Sequence, residues 1–403
     1  MTKRESILTA LPSADEGAGQ WPWFDEEQVA AAERVLRSGR INYWTGTEVK
    51  AFESEFAAYC GVSHGIALAN GTLALDFALK AAGIGTGDEV IVTPRTFVAS
   101  ASCVAMAGAK PVFADVDGRS QNLSPAAVRA AITPRTRAII AVHLAGWPCD
   151  MDAISAIARD RGLLVIEDCA QAHGATIRGR RVGSFGDIAA FSFCQDKIMT
   201  TAGEGGLLLV RDPQIFERAW SLKDHGKNRR KMLEPPQGHG FRWVHDSLGT
   251  NGRMIELQAA IGRIQLRRLE DWVAVRRRNA AILDRQFEAI DALEVHRPEP
   301  EVGHAYYKYY TFVRPERLKP GWSRDRILEA VNAAGATCRS GSCSEVYLEK
   351  AFDGTGARPK ERLPVARRLG ETSLMFEVHP TLGPERMRRT GEIVAGVMAQ
   401  AGK

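Results

Sequence analysis

No stretch of this 403-residue chain approaches the ~20 consecutive apolar residues that a membrane-spanning helix requires. The least interrupted run, Ala138 to Cys149, spans about a dozen residues and contains His143. Paired cysteines are also missing. The seven cysteines (60, 103, 149, 169, 194, 338 and 343) are odd in number, scattered and free of any CxxC, and most sit inside apolar runs. That spacing excludes a disulfide framework and structural zinc, and reads as reduced core thiols in a cytoplasmic protein. HExxH is absent too, so no metal is expected. A charge excess of one sign is lacking: 53 basic against 48 acidic residues leave +5, too little and too dispersed for nucleic-acid binding. The N-terminal basic pair Lys3-Arg4 precedes a stretch, Ser6 to Pro12, that is too short and polar for a signal-peptide core. Nucleotide motifs fail as well. No GxxxxGK[ST] occurs, and Gly83-Ile84-Gly85-Thr86-Gly87 lacks the GxGxxG spacing and precedes a strand instead of following one.

What is present is an average globular composition, 45% hydrophobic and 25% charged, without internal repeats or low-complexity linkers. The length suits two domains, or one large domain with an appendage. From about residue 25 to 210, helical and strand patterns alternate. Asp25 caps a predicted helix ending near Gly39, and strands are predicted at 65–69, 90–93, 111–116, 137–144 and 163–167. Helical stretches fall at 71–82, 124–132 and 150–161, and the short strands 188–193 and 206–210 are close enough to form a hairpin. Val-, Ile- and Leu-rich strands alternating with helices imply an α/β fold with a mostly parallel sheet covered on both faces. Ligands in such sheets bind beyond the carboxyl ends of the strands. After about 250 the character changes to a long helix, 254–284, an aromatic strand, 304–314, and a further helix, 324–334. We therefore expect a large domain over 1–265, beginning with an arm of about 24 residues, and a smaller C-terminal α/β domain over 266–403.

Unusual residues cluster where the strands end. Asn70-Gly71-Thr72 joins a strand to a helix N-terminus, which is either a plain N-cap or an anion site built from free N–H groups and a hydroxyl. Glu167 and Asp168 close a buried strand; adjacent strand positions face opposite ways, so only one can enter a shared site. A half-buried carboxylate there either caps the next loop or serves a cationic partner. Lys197 leaves the buried strand Phe191-Ser192-Phe193 among small residues. It is either a surface charge or, with its pKa lowered by desolvation, a Schiff-base nucleophile.

Taken with their neighbours, these residues resemble a known family. ALANGTLALDFAL (67–79), GDEVIVTPRTFVASAS (87–102), KPVFADVD (110–117), AVHLAGWPCDMDAI (141–154), VIEDCAQAHGA (165–175), FSFCQDKIMTTAGEGG (191–206) and GTNGRMIELQAAIGRIQL (249–266) occur in the order found in DegT/DnrJ/EryC1/StrS sugar aminotransferases. The resemblance runs from about Gly46 to Tyr347. It implies the fold type I aspartate-aminotransferase scaffold and pyridoxal 5'-phosphate as cofactor. It assigns Lys197 as the lysine that carries the cofactor and Asp168 as the partner of its pyridine nitrogen. Gln171 falls beside the ring hydroxyl and Phe97 where an aromatic stacks on the ring face. Gly71, Thr72 and Ser192 match the phosphate cup, and Asn251 matches a residue reaching the phosphate from the partner subunit, which implies a homodimer with shared sites. Two departures line the expected site: Cys194-Gln195-Asp196 before the lysine, and Gly252 after Asn251.

The resemblance implies transfer of an amino group from an amino acid, glutamate or glutamine, to a keto-sugar nucleotide. A keto-cyclitol acceptor is the first alternative. A pyridoxamine-dependent sugar dehydratase has histidine where Lys197 stands, and a non-catalytic regulator would not need Asp168, Gln171 and Lys197 together. The basic run Lys223 to Lys231 reads either as a solvated loop or as an approach to a sugar diphosphate, with His225 and Arg229 as its candidates. Arg276-Arg277-Arg278 reads as a solvated helix face, and His304 with the following tyrosines mainly as strand and core, although the resemblance places this region near the substrate.

Overall fold

The computed structural model describes residues 20–235 and 239–403. Residues 1–19 of the expected N-terminal arm lie outside the described residues. Helix α1 (Glu26–Ser38) is followed by α2 (Glu48–Cys60), β1 (His64–Leu68), α3 (Gly71–Ala81), β2 (Glu89–Val92), α4 (Ala99–Met106) and β3 (Lys110–Phe113). Then come α5 (Pro125–Ala131), β4 (Thr136–Val142), α6 (Met151–Arg161), β5 (Leu164–Asp168), β6 (Ile188–Ser192), β7 (Gly206–Val210), α7 (Pro213–Lys223) and α8 (Arg229–Leu233). The C-terminal part comprises α9 (Glu256–Phe287), β8 (Leu293–Glu294), β9 (Tyr309–Val313), α10 (Arg324–Ala333), α11 (Pro364–Thr372), β10 (Ser373–Phe376) and α12 (Pro384–Ala401).

Strands β1 to β7 form one sheet in the order β1-β7-β6-β5-β4-β2-β3. Pairs from β3 through β6 are parallel, whereas β7 runs antiparallel to both β6 and β1, which gives the expected hairpin. Alternation along each strand feeds two cores. Val90, Val92, Ile140 and Ile166 pack on one face, with Leu75 and Phe77 of α3. Ile91, Ile139, Ala141 and Val165 pack on the other, with Met151, Ile154 and Ile157 of α6. The period of two that separates Val165 from Ile166 separates Glu167 from Asp168 as well. They leave the same strand toward opposite faces.

Helix starts follow the sequence signals. The Asp25 side chain accepts from Gln28 N–H, and Gly39 ends α1 with a positive φ of 65°. The predicted strand 111–116 is shorter at its C-terminal end, and its Pro111 is tolerated because β3 is an edge strand. Only 309–313 of the aromatic stretch 304–314 is strand. Before it, arginines of α9 take the backbone carbonyls: Arg277 Nε donates to His304 O at 2.8 Å, and Arg276 donates to Tyr306 O and Tyr307 O at 3.3 and 3.2 Å. The expectation of a solvated Arg276–Arg278 face is therefore corrected for Arg276, whereas Arg277 and Arg278 are exposed. Arg276 is buried, and burial pushes its guanidinium down to about 9. Helix α9 passes through two cores, contributing Leu266, Leu269, Trp272 and Val273 to the first. Further along, its Ala280, Leu283 and Phe287 join Tyr309, Ile327, Phe376 and Val394 in the second. No helix among the described residues is long and apolar enough to cross a membrane.

Candidate active site

A cavity of about 1160 Å³ opens beyond the carboxyl ends of β1, β5 and β6. Its floor is the N-terminus of α3. Asn70 Oδ1 caps Leu73 N–H at 2.9 Å, and the other N–H groups of the first turn have no intrahelical acceptor. Gly71 is required by packing. A Cβ there would lie 2.6 Å from Ser192 Cβ, so only glycine lets the helix end close against β6. Gly71, Thr72 and Ser192 thus form one concave wall of N–H groups and hydroxyls at a positive dipole end, the chemistry a phosphate dianion needs.

Asp168 enters the same cavity from β5 and is only 5% exposed. Ser100 donates to it at 2.7 Å and Ala170 N–H at 3.1 Å. Burial pushes its carboxyl up, and these bonds do not offset it, so the group lacks a full cationic partner. A protonated pyridine nitrogen supplies one. Gln171 lines the cavity and accepts Ala145 N–H at 2.9 Å through Oε1. Phe97 lines it with 66% of the residue exposed, a large apolar ring uncovered where a flat partner can stack. Asp168, Gln171, Phe97 and the cup therefore fit pyridoxal phosphate.

Lys197 lines the same cavity. Its Nζ lies 3.4 Å from Tyr307 Oη and 3.5 Å from Asp196 Oδ1, and its side chain is 16% exposed. The surface-charge reading does not describe it. Its backbone is held as well, since Trp21 Nε1 donates to Lys197 O at 2.8 Å. Glu167, on the opposite face, accepts N–H groups of Gly183, Phe185 and Gly186 at 2.7–2.8 Å. His143 Nδ1 accepts Cys149 N–H, which leaves Nε2 as the donor to Glu167 at 3.0 Å. Burial acts to raise the Glu167 carboxyl, but His143 and the backbone donors outweigh it and hold it below the ordinary range. Its stabilisation is present above that range and lost as pH falls through the depressed value. His143, Glu167 and Cys169 lie within 4.8 Å of one another, but the ring nitrogens and carboxylate oxygens are already engaged in hydrogen bonds.

Three candidates do not line this cavity. Asn251 is exposed in the segment before α9, bridged to Asp224. His225 is exposed, and Arg229 pairs with Glu217 at 3.1 Å. Lys223, in the same basic run, is buried against Glu53 at 3.2 Å and is no part of a solvated loop. The structure adds residues that sequence reading did not single out: Ser100 on Asp168, Trp21 on the lysine backbone and, beside Tyr307 of the tyrosine run, a distal wall including Lys308, Arg339 and Glu377. Ser100 sits inside a quoted motif; the rest come from segments far from Lys197 in sequence.

Comparison with known proteins agrees with this geometry. The profile of the DegT/DnrJ/EryC1/StrS aminotransferase family matches residues 22–395. The crystal structure of an aminotransferase from Psychrobacter cryohalolentis is 53% identical, with a TM-score of 0.93 over 95% of this chain and 99% of that one. The dTDP-3-amino-3,4,6-trideoxy-alpha-D-glucose transaminase of Streptomyces venezuelae is 37% identical over 90% of each chain. The L-glutamine:2-deoxy-scyllo-inosose aminotransferase of Streptoalloteichus tenebrarius is 35% identical over 95% of each. With the cup, the buried acid and the cavity lysine in place, the chain belongs to the DegT/DnrJ/EryC1/StrS family of pyridoxal-phosphate-dependent aminotransferases.

Proposed function

We propose that this aminotransferase moves an amino group from glutamate or glutamine to a keto-sugar nucleotide, in amino-sugar biosynthesis. The observation that carries this reading is the distal wall. Beyond the cofactor-holding side, the cavity continues to Tyr307, Lys308, Tyr310, Arg339, Ser340 and Ser342, a hydroxyl- and charge-rich lining suited to a polyhydroxylated acceptor. The Streptomyces venezuelae relative, named for a dTDP-sugar, supports it further. The inosose aminotransferase similarity favours the keto-cyclitol as second reading. Incubating the purified enzyme with a panel of keto-sugar nucleotides, a keto-cyclitol and both amino donors, followed by mass spectrometry, decides between them. Amination of a keto-sugar nucleotide is expected; amination of the cyclitol alone overturns the first reading.

Pyridoxal phosphate, when bound, supplies an electron sink for the carbanion at the amino donor's Cα. The chain's own residues do the rest. With the cofactor held, Asp168 would keep a proton on the ring nitrogen, Phe97 would fix the ring plane, and Lys197 would be placed to move the proton lost from the donor's Cα. A lysine at this position supports transamination over dehydration.

The proposal includes a homodimer with shared sites, in which His225 and Arg229 approach the sugar diphosphate. Phe241, Trp243 and Leu248, 76–93% exposed near Asn251 in sequence, support a covered face there. A cytoplasmic setting, supported by five buried free thiols, and the division into units 1–265 and 266–403 belong to the same reading. A neutral amide bond to a dianion is worth about 1–3 kcal/mol, so Asn251→Ala should weaken cofactor retention about ten- to a hundredfold. Mixing Lys197→Ala with a severely impaired Asn251 variant tests sharing directly. Activity should reappear after subunit exchange, and its absence in proven heterodimers means each subunit builds its own cup.

A further inference from the structure

The segment entering the active site places an acid, Asp196, directly before Lys197. The phosphate cup, Asp168, Gln171 and Phe97 stand on other segments or do other work, so binding the cofactor leaves this acid without a task. Its surroundings supply one. Asp196 lines the cavity with 55% of its side chain exposed, 3.5 Å from Lys197 Nζ, and accepts a hydrogen bond from the Tyr307 hydroxyl. Tyr307 Oη accepts from Lys197 Nζ at 3.4 Å while donating to Asp196, so acid, phenol and lysine nitrogen close a triangle. The phenol ring also faces two cations, with Lys197 and Lys308 Nζ at 4.9 and 5.0 Å from its centre. Tyr307 arrives from beyond α9, and Arg276 of that helix holds its carbonyl at 3.2 Å.

The charged and titratable groups around the triangle are Lys308, Arg276, Glu377 and His379, with Asp168 and His173 also facing Lys197; Glu377 pairs with Lys308 at 3.5 Å and with His379 at 3.6 Å. Burial acts to raise the Asp196 carboxyl, but Lys197, Tyr307 and Lys308 outweigh it and hold it below the ordinary range. It is ionised at working pH. The Tyr307 phenol is pushed well above its ordinary value by burial and by Asp196, so it stays protonated and keeps donating.

We infer that Asp196, braced by Tyr307, is a positioning residue for the catalytic lysine, fixing its side-chain nitrogen at the cavity. The inference rests on Lys197 being the cofactor-bearing residue. It gives the unusual Cys194-Gln195-Asp196 segment a role distinct from substrate choice. Removing a carboxylate 3.5 Å from the lysine nitrogen removes a favourable charge interaction there, and the visible absorbance of the loaded enzyme reads that loss.

The test is a spectrophotometric pH titration of the cofactor-loaded enzyme and its variants, without substrate. For a charge pair about 3.5 Å apart in a half-solvated site, Asp196→Asn is expected to lower the absorbance midpoint by about one to two pH units. Asn keeps an oxygen for the Tyr307 hydroxyl, so folding is preserved. Tyr307→Phe frees the acid to move and should lower the midpoint by less, and the double variant should add nothing to Asp196→Asn, because both changes act through one group. Should Asp196→Asn fail to fold, Tyr307→Phe alone carries the test. Borohydride reduction and peptide mapping of each variant check the underlying assignment. A parent enzyme not labelled at Lys197 defeats that assignment, whereas labelling at Lys197 with an unmoved midpoint defeats the role of Asp196.

Discussion

Lys197→Ala is expected to abolish transamination while leaving the cofactor bound. On the proposed role of Lys197, two losses combine at this position: the group that would move the proton from the donor's Cα, and the tethering that holds it in place. General acid–base catalysis is worth about 10²–10⁴-fold and tethering considerably more, so turnover should fall at least about ten-thousandfold. Binding should survive, because the α3 cup, Ser192, Asp168 and Phe97 are separate from the lysine side chain. The loop should survive as well. Trp21 bonds the carbonyl of residue 197 and not its side chain, and Asp196 keeps its bond to Tyr307. Turnover assays with equilibrium dialysis of the cofactor measure both effects, and a small primary amine at high concentration should restore a fraction of activity. In the parent, borohydride should place the label on the Lys197 peptide. Lys308 is the rival, since it lines the same cavity and burial lowers its pKa. A label there overturns the assignment.

Much of the site could be read from the sequence because it lies where strands end. Gly71 follows β1, Asp168 closes β5 and Ser192 closes β6, so a parallel sheet read from its apolar runs already gathers them at one edge. The parity of Glu167 and Asp168 was equally readable, since pleat alternation needs no tertiary information. The distal wall was not, apart from the tyrosine run that the resemblance places near the substrate. Tyr307 meets Lys197 only because α9 turns the chain back, and an aromatic run has the same signature whether it fills a core or lines a cavity. Arg276 misled for a related reason. Three consecutive arginines look solvated, but one of them is buried because carbonyls about 30 residues downstream accept from it. Asn251 follows from the resemblance, and His225 and Arg229 from the density of the basic run; within one subunit all three stand apart from the cavity.

Replacing Asp168 by asparagine separates catalysis from folding, and replacing Glu167 by glutamine should do the reverse. In Asp168→Asn the amide oxygen can accept Ala170 N–H, now bonded at 3.1 Å, while Nδ2 donates to Ser100 Oγ. Ser100 in turn can donate to Thr96 Oγ1, 2.9 Å away, so the amide oxygen, the amide nitrogen and Ser100 each keep a partner. The substitution also removes a carboxyl that burial has raised. For such a group the folded protein binds more protons than the unfolded chain between the two pKa values, so stability falls as pH rises through that window. The apo variant should therefore melt no lower than the parent at neutral pH. Catalysis should nevertheless drop on the order of 10²–10³-fold, the usual loss of one preorganised electrostatic group, because nothing then keeps the ring nitrogen protonated. Glu167→Gln puts two donor hydrogens where Gly183, Phe185 and Gly186 N–H and His143 Nε2 already donate. At least one buried donor is left unpaired, at about 3 kcal/mol, and melting should fall by several degrees while the turnover of folded enzyme stays close to the parent's. Differential scanning calorimetry of the apo-proteins beside kcat of the loaded ones measures both. Near-normal turnover with poor folding in Asp168→Asn would make that acid a structural cap and remove it from the chemistry.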